Sequence, residues 1–135
     1  MIDPSPDEAL LRGFIRPDRL PRYLALLGKR GGRDQIRARL AHLGDLDSRF
    51  AVPVPGGDSS VARIGEALRK KGAPRDCYCL SQNPALDGQV IPLEKALGAV
   101  IGMGYGTFLS CVPGKVGYFE GEGPSWRFIL DRAAV

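Results

Sequence analysis

From Cys77 to Leu130 the chain runs through short apolar segments broken at Asp87-Gly88, Gly102-Met103-Gly104-Tyr105-Gly106 and Pro113-Gly114-Lys115. β-prone segments separated by glycine, proline and aspartate turn signals specify a packed sheet with sharp reversals. Residues 1–44 lack that pattern and read instead as basic helices. The combination predicts a single α+β domain over 1–135, with a helical part at 1–44 and a sheet-forming part at 49–135. A chain of 135 residues is long enough to enclose one sizeable core.

Ser5-Pro6-Asp7-Glu8 reads as a helix start: Ser5 caps, Pro6 takes the first helical position, and Glu8 completes a capping box. Asp18 is expected to cap a second helix, in which Leu20, Tyr23, Leu24 and Leu27 recur at helical spacing up to Gly28. After Gly31-Gly32 a third helix carries Ile36, Leu40 and Leu43 as its buried stripe and Arg33 and Arg37 as a charged flank. Val61, Ile64 and Leu68 mark a fourth, capped by Asp58 or Ser59 and closed by Gly72. Pro92 opens a fifth, with Leu93, Ala96, Leu97 and Val100.

Arg49 to Val54 reads as a strand, and Pro53, which has no amide to donate, assigns it to an edge or an end. With the fourth helix and the strand at Cys77–Ser81 it suggests a right-handed parallel β-α-β crossover, hence a mixed sheet. Thr107–Val112 and Val116–Phe119 flank a short turn and form an antiparallel C-terminal hairpin, with a further strand at Trp126–Leu130. The basic helices are expected to cover this small sheet.

The formal charge of +4 is unevenly spread. Between Arg12 and Arg39 nine Arg or Lys face two acids, whereas from Asp76 onward four bases face six acids. A basic face concentrates polyanions without discriminating among them. Arg30, Arg33, Arg37 and Arg39 are the candidate polyanion contacts, with an acidic protein or a nucleic acid as the partner. The two basic helices also permit a helix-turn-helix reading, although Gly28-Lys29-Arg30-Gly31-Gly32 is a long, glycine-rich connection for that motif.

Cys77, Cys79 and Cys111 are an odd number of thiols without a secretion signal, which points to free cysteines in a cytoplasmic protein. Cys77 and Cys79 share a strand face, but their spacing is not that of a zinc ribbon, and His42, the single histidine, lies far off in sequence. No metal site and no cofactor is expected. The same scarcity of histidine leaves His42 as the one base for a Cys-His pair or a Ser-His-Asp triad. Gly102, Gly104 and Gly106 precede a strand instead of opening a helix, which excludes a dinucleotide fingerprint and leaves a loop with positive-φ positions. Leu109 and Val116 break any Walker pattern around Pro113-Gly114-Lys115. Pro55 to Ser60 could hold an anion at a helix start, but Asp58 would repel it.

Ser81 to Gly88 follows a buried strand and is rich in polar side chains, so Asn83 and Asp87 are candidate ligand contacts, with Lys115 adding charge from its hairpin turn. The reading is a non-catalytic binding module acting through its basic helices. The alternative is a small enzyme with a site around residues 81–88 and 102–106. No apolar stretch approaches the length of a membrane span, so no membrane partner is expected; pattern does not specify an oligomeric state.

Overall fold

The computed structural model describes residues 5–123 and 125–133. The opening Met1-Ile2-Asp3-Pro4, on which the expectation of no secretion signal bears, lies outside them. The chain folds as α1 (Pro6–Phe14), α2 (Leu20–Leu27), α3 (Gly32–Arg39), a 3-10 turn (Leu40–His42), β1 (Ala51–Pro53), a second 3-10 turn (Gly56–Asp58), α4 (Val61–Lys70), β2 (Asp76–Ser81), β3 (Val90–Pro92), α5 (Leu93–Val100), β4 (Thr107–Val112), β5 (Val116–Glu120) and β6 (Arg127–Asp131). The α+β class holds. Among the described residues six strands form one open sheet in the order β1-β6-β5-β4-β2-β3.

Every pairing in that sheet is antiparallel. The expected β-α-β crossover, and with it the mixed sheet, is therefore corrected. β1 pairs with β6 through Ala51↔Leu130, while β2, separated from β1 by three strands, lies between β4 and β3. The physical reason is non-local. The β4–β5 hairpin and β6 insert between two strands that are consecutive around α4, an outcome no local period encodes. Pro53 does sit on an edge strand, where its missing amide costs no ladder bond.

Strand alternation divides the core into two layers. Leu80, Phe108, Phe119 and Leu130 face α1–α3 and join Leu10, Phe14, Tyr23, Ile36 and Leu40. Cys77, Cys79, Leu109, Cys111 and Tyr118 face the other way and pack with Ile64 and Leu68 of α4 and Leu93 and Leu97 of α5. Each of these large apolar side chains contributes roughly 1.5–3 kcal/mol by leaving water. Phe108 and Phe119 meet across β4–β5 with ring centroids 4.8 Å apart.

The helix ends agree with the sequence in part. Ser5 Oγ accepts from the Glu8 amide at 3.1 Å, the expected cap. Asp18 is not a cap: Arg19 occupies that position, and Asp18 instead accepts from Arg16. α4 is capped by Ser60, whose Oγ accepts from the Arg63 amide, in place of Asp58 or Ser59. Among the described residues no helix is long and apolar enough to cross a membrane.

Candidate functional site

The residues singled out in the sequence fall into three places. Arg33, Arg37 and Asp87, assigned above to two different sites, meet in one. Lys115 stands at the opposite end of β4 from Ser81 and Asp87, because Thr107, not Val112, pairs with Ser81. Its predicted contribution to that site is thereby corrected. Arg30 and Arg39 remain exposed on the surface of the helical hairpin.

Arg33 is the centre of the internal cluster. Its Nη1 and Nη2 donate to the two carboxylate oxygens of Asp87 at 2.6 and 2.8 Å, and its Nε donates to Asp7 Oδ2 at 2.7 Å. Tyr78, from β2, donates its hydroxyl to Asp7 Oδ1 at 2.7 Å and accepts from Arg33 at 3.2 Å. One helical turn on, Arg37 Nε donates to the Ser81 carbonyl at 2.8 Å and lies 3.2 Å from Asp87 Oδ2. The guanidiniums thus tie α1, α3 and the β2–β3 connection together. Planar, bidentate donors suit this task because they satisfy both carboxylate oxygens at once.

Burial pushes the Asp87 carboxyl up, but the Arg33 hydrogen bonds, the Ser81 amide and the two guanidinium charges outweigh it. The group stays below the usual carboxylate range. Tyr78 is pushed up to about 12, first by burial and then by its hydrogen bond to Asp7. Asp87 is a fixed counter-ion, and Arg33 and Arg37 are not a free basic face. The sequence pattern predicts both arginines on an outward basic surface, as the helix-turn-helix reading also requires; here they are half-buried in ion pairs with Asp7 and Asp87. The signal was in the sequence. Arg33, Ile36, Arg37 and Leu40 follow the i, i+3, i+4, i+7 spacing of one helix face, and Ile36 and Leu40 are the buried residues of that stretch.

Asn83 is a turn residue. Its Oδ1 accepts from the Ala85 amide and its carbonyl from the Leu86 and Asp87 amides. Gln82 bridges the two segments of the alternative site: Nε2 donates to the Arg37 carbonyl at 2.9 Å, and Oε1 accepts from the Gly106 amide at 3.0 Å. Gly102 and Gly104 take positive φ as expected of the loop. Gly102 donates its amide to the buried Glu120 carboxylate at 2.8 Å, which Tyr118 also reaches with its hydroxyl at 2.6 Å. The Gly102–Gly106 loop is thus pinned at both ends.

Cys77, Cys79 and Cys111 are free, buried neighbours in the α4–α5 layer. The Cys79 hydrogen bond and burial push the Cys77 thiol up, and burial pushes Cys111 up to about 12. Among the described residues no group of three His, Cys, Asp or Glu is arranged to hold a metal ion. His42 Nε2 lies 2.9 Å from Glu122 Oε2 at the surface, and its ring meets Trp126 edge-on at 6.0 Å.

The third place is the α2–α3 hairpin. Of the nine cations between Arg12 and Arg39, Arg12 pairs with Glu8, Arg16 with Asp18, Arg33 with Asp7 and Asp87, and Arg37 with Asp34 and Asp87. Arg19, Arg22, Lys29, Arg30 and Arg39 have no carboxylate within ion-pairing distance among the described residues, and all five are exposed. Arg39 lies over the Tyr23 ring at 6.0 Å. Arg19 and Arg22, three residues apart, flank the start of α2. Neither they nor Lys29 stand out in the sequence from the other cations, because net charge per segment does not separate paired from unpaired groups. Compared with protein-family models, curated proteins and solved structures, the chain matches none.

Proposed function

We propose that this protein is a cytoplasmic, non-catalytic binding module that engages a polyanion through the α2–α3 hairpin. One observation carries the reading: once internal ion pairs are set aside, five exposed cations remain on the hairpin without a carboxylate partner among the described residues, whereas elsewhere unpaired lysines and arginines such as Arg75, Lys95 and Lys115 are scattered singly. A concentrated positive surface raises the local concentration of anionic polymers and speeds their association. The contacts are Arg19, Arg22, Lys29, Arg30 and Arg39; of the four arginines expected from the sequence, Arg30 and Arg39 are retained.

The test is retention of the purified protein on heparin and on mixed DNA and RNA pools across salt concentrations. Each phosphate neutralised contributes a slope of about −0.7 to −0.9 in log K against log salt. Engagement of all five cations predicts a slope of about −4, and the triple replacement of Arg19, Arg22 and Arg39 by Gln reduces it by about 2. Salt-independent binding, or no binding at low salt to any of these probes, overturns the reading.

A further inference from the structure

Two concavities meet beside the free cations, and their chemistry is opposite. One, of about 240 Å³, is walled by Tyr23, Arg39, His42 and Asp45. The other, of about 420 Å³, is apolar and walled by Leu46, Ala51, Pro53, Trp126 and Phe128. They share Leu43 and Gly44 as a common rim. His42, in the first, meets the Trp126 ring of the second edge-on. The indole packs closely on Gly121, where a Cβ would stand 2.6 Å from Trp126 Cε3, and it lines the recess.

Two carboxylates also stand at this place, each with a hydrogen-bond or close polar partner. Asp45 accepts from the Tyr23 hydroxyl at 2.5 Å, and Glu122 faces His42. Arg39 walls the first concavity over the Tyr23 ring and so adjoins the apolar recess across the shared rim, while Arg19 and Arg22 stand at the start of α2, the helix that carries Tyr23. A ligand that fits both must alternate anionic groups with flat apolar rings.

Resting on the hairpin reading above, we infer that the polyanion is a single-stranded nucleic acid, with phosphates at Arg19, Arg22 and Arg39 and an unstacked base in the recess against Trp126 and Phe128. Aromatic side chains beside a cationic groove bind single strands because every base has a π-face, whereas a duplex keeps its bases stacked inside and an acidic peptide offers none. Volume agrees, since recesses of about 300–1,000 Å³ hold small flat ligands.

Trp126 is the single tryptophan of the chain, so its emission reports the recess directly. The experiment titrates the full-length protein with a single-stranded oligothymidylate, a duplex of equal length, heparin and polyglutamate. The expected result is salt-sensitive binding of all four, with quenching of Trp126 by the single strand alone. The single strand should bind about tenfold more weakly to Trp126→Leu in an anisotropy assay, while heparin affinity is unchanged. The quenching measurement needs no variant, so it stands even if Trp126→Leu does not fold. Binding of single strand, heparin and polyglutamate without quenching and with equal affinity overturns this inference and leaves the hairpin reading intact, pointing to an acidic protein. Absence of binding to every probe overturns both.

Discussion

Arg33→Met keeps the aliphatic stem of Arg33 and removes the guanidinium that joins α1, α3 and the β2–β3 connection. The variant loses four hydrogen bonds, at 2.6, 2.7, 2.8 and 3.2 Å, and takes the Arg33 charge from two carboxylates whose side chains are each 13% exposed, leaving Asp7 only the Tyr78 hydroxyl. Breaking a buried ion pair by deleting one partner costs about 3–5 kcal/mol, because the remaining charge is left without its counter-ion. Two features lower the figure here. The Arg33 side chain is 31% exposed, and Arg37 still lies 3.2 Å from Asp87. The expected loss is about 3 kcal/mol, which for a chain of this length lowers Tm by about 10 °C.

Urea denaturation at pH 7, followed by Trp126 fluorescence and circular dichroism, measures that loss. Arg30→Met is the control, since Arg30 is exposed without an ion-pair partner among the described residues, and should change stability by less than about 0.5 kcal/mol. The pH dependence has a definite sign. Asp87 is held below its ordinary value in the folded state, so its contribution is present above about pH 4 and lost as pH falls through the folded value. The difference between wild type and Arg33→Met should therefore shrink on acidification. A loss below about 1 kcal/mol at pH 7, or one no larger than that of Arg30→Met, would show that solvent screens the cluster as it does a surface pair.

Gly106→Ala places a Cβ into the backbone of Leu40 and Ala41, where main chain cannot rotate away, and should cost about 1–3 kcal/mol in the same assay; a neutral outcome would mean that the loop and the 3-10 turn separate freely. Tyr23 and Tyr78, both pushed up to about 12 chiefly by burial, favour the folded state below about pH 10, and that contribution should be lost as pH rises towards 12; absorbance titration at the tyrosinate band should find both hydroxyls silent until then. The three buried thiols should react with a disulfide reagent at pH 8 only on the timescale of unfolding, so rapid modification of even one of them would contradict the packing of the α4–α5 layer.

Local chemistry was legible wherever a residue's own backbone preference decides the outcome. Ser5 at its cap, Pro53 on an edge, the positive-φ glycines at 102 and 104, and the β4–β5 hairpin follow from short-range sterics and hydrogen bonding, and each can be read from a few neighbouring residues. Segment charge was equally legible, but not its use. Whether an arginine is free depends on which carboxylate the fold delivers to it, and the partners of Arg33 lie 26 and 54 residues away, at Asp7 and Asp87. The helix period held half of that answer, by placing Arg33 and Arg37 on the face of Ile36 and Leu40.

Composition and periodicity determined the helices, the turns, most of the strands and the α+β class, because those arise from interactions between residues close in the chain. Tertiary structure alone decided the strand order that separates β1 from β2, the pairing of Arg33 and Arg37 with Asp87, and the meeting of Trp126 with His42. These are contacts between distant segments, selected by how two apolar layers close over one sheet, and only the folded chain brings their members within bonding distance.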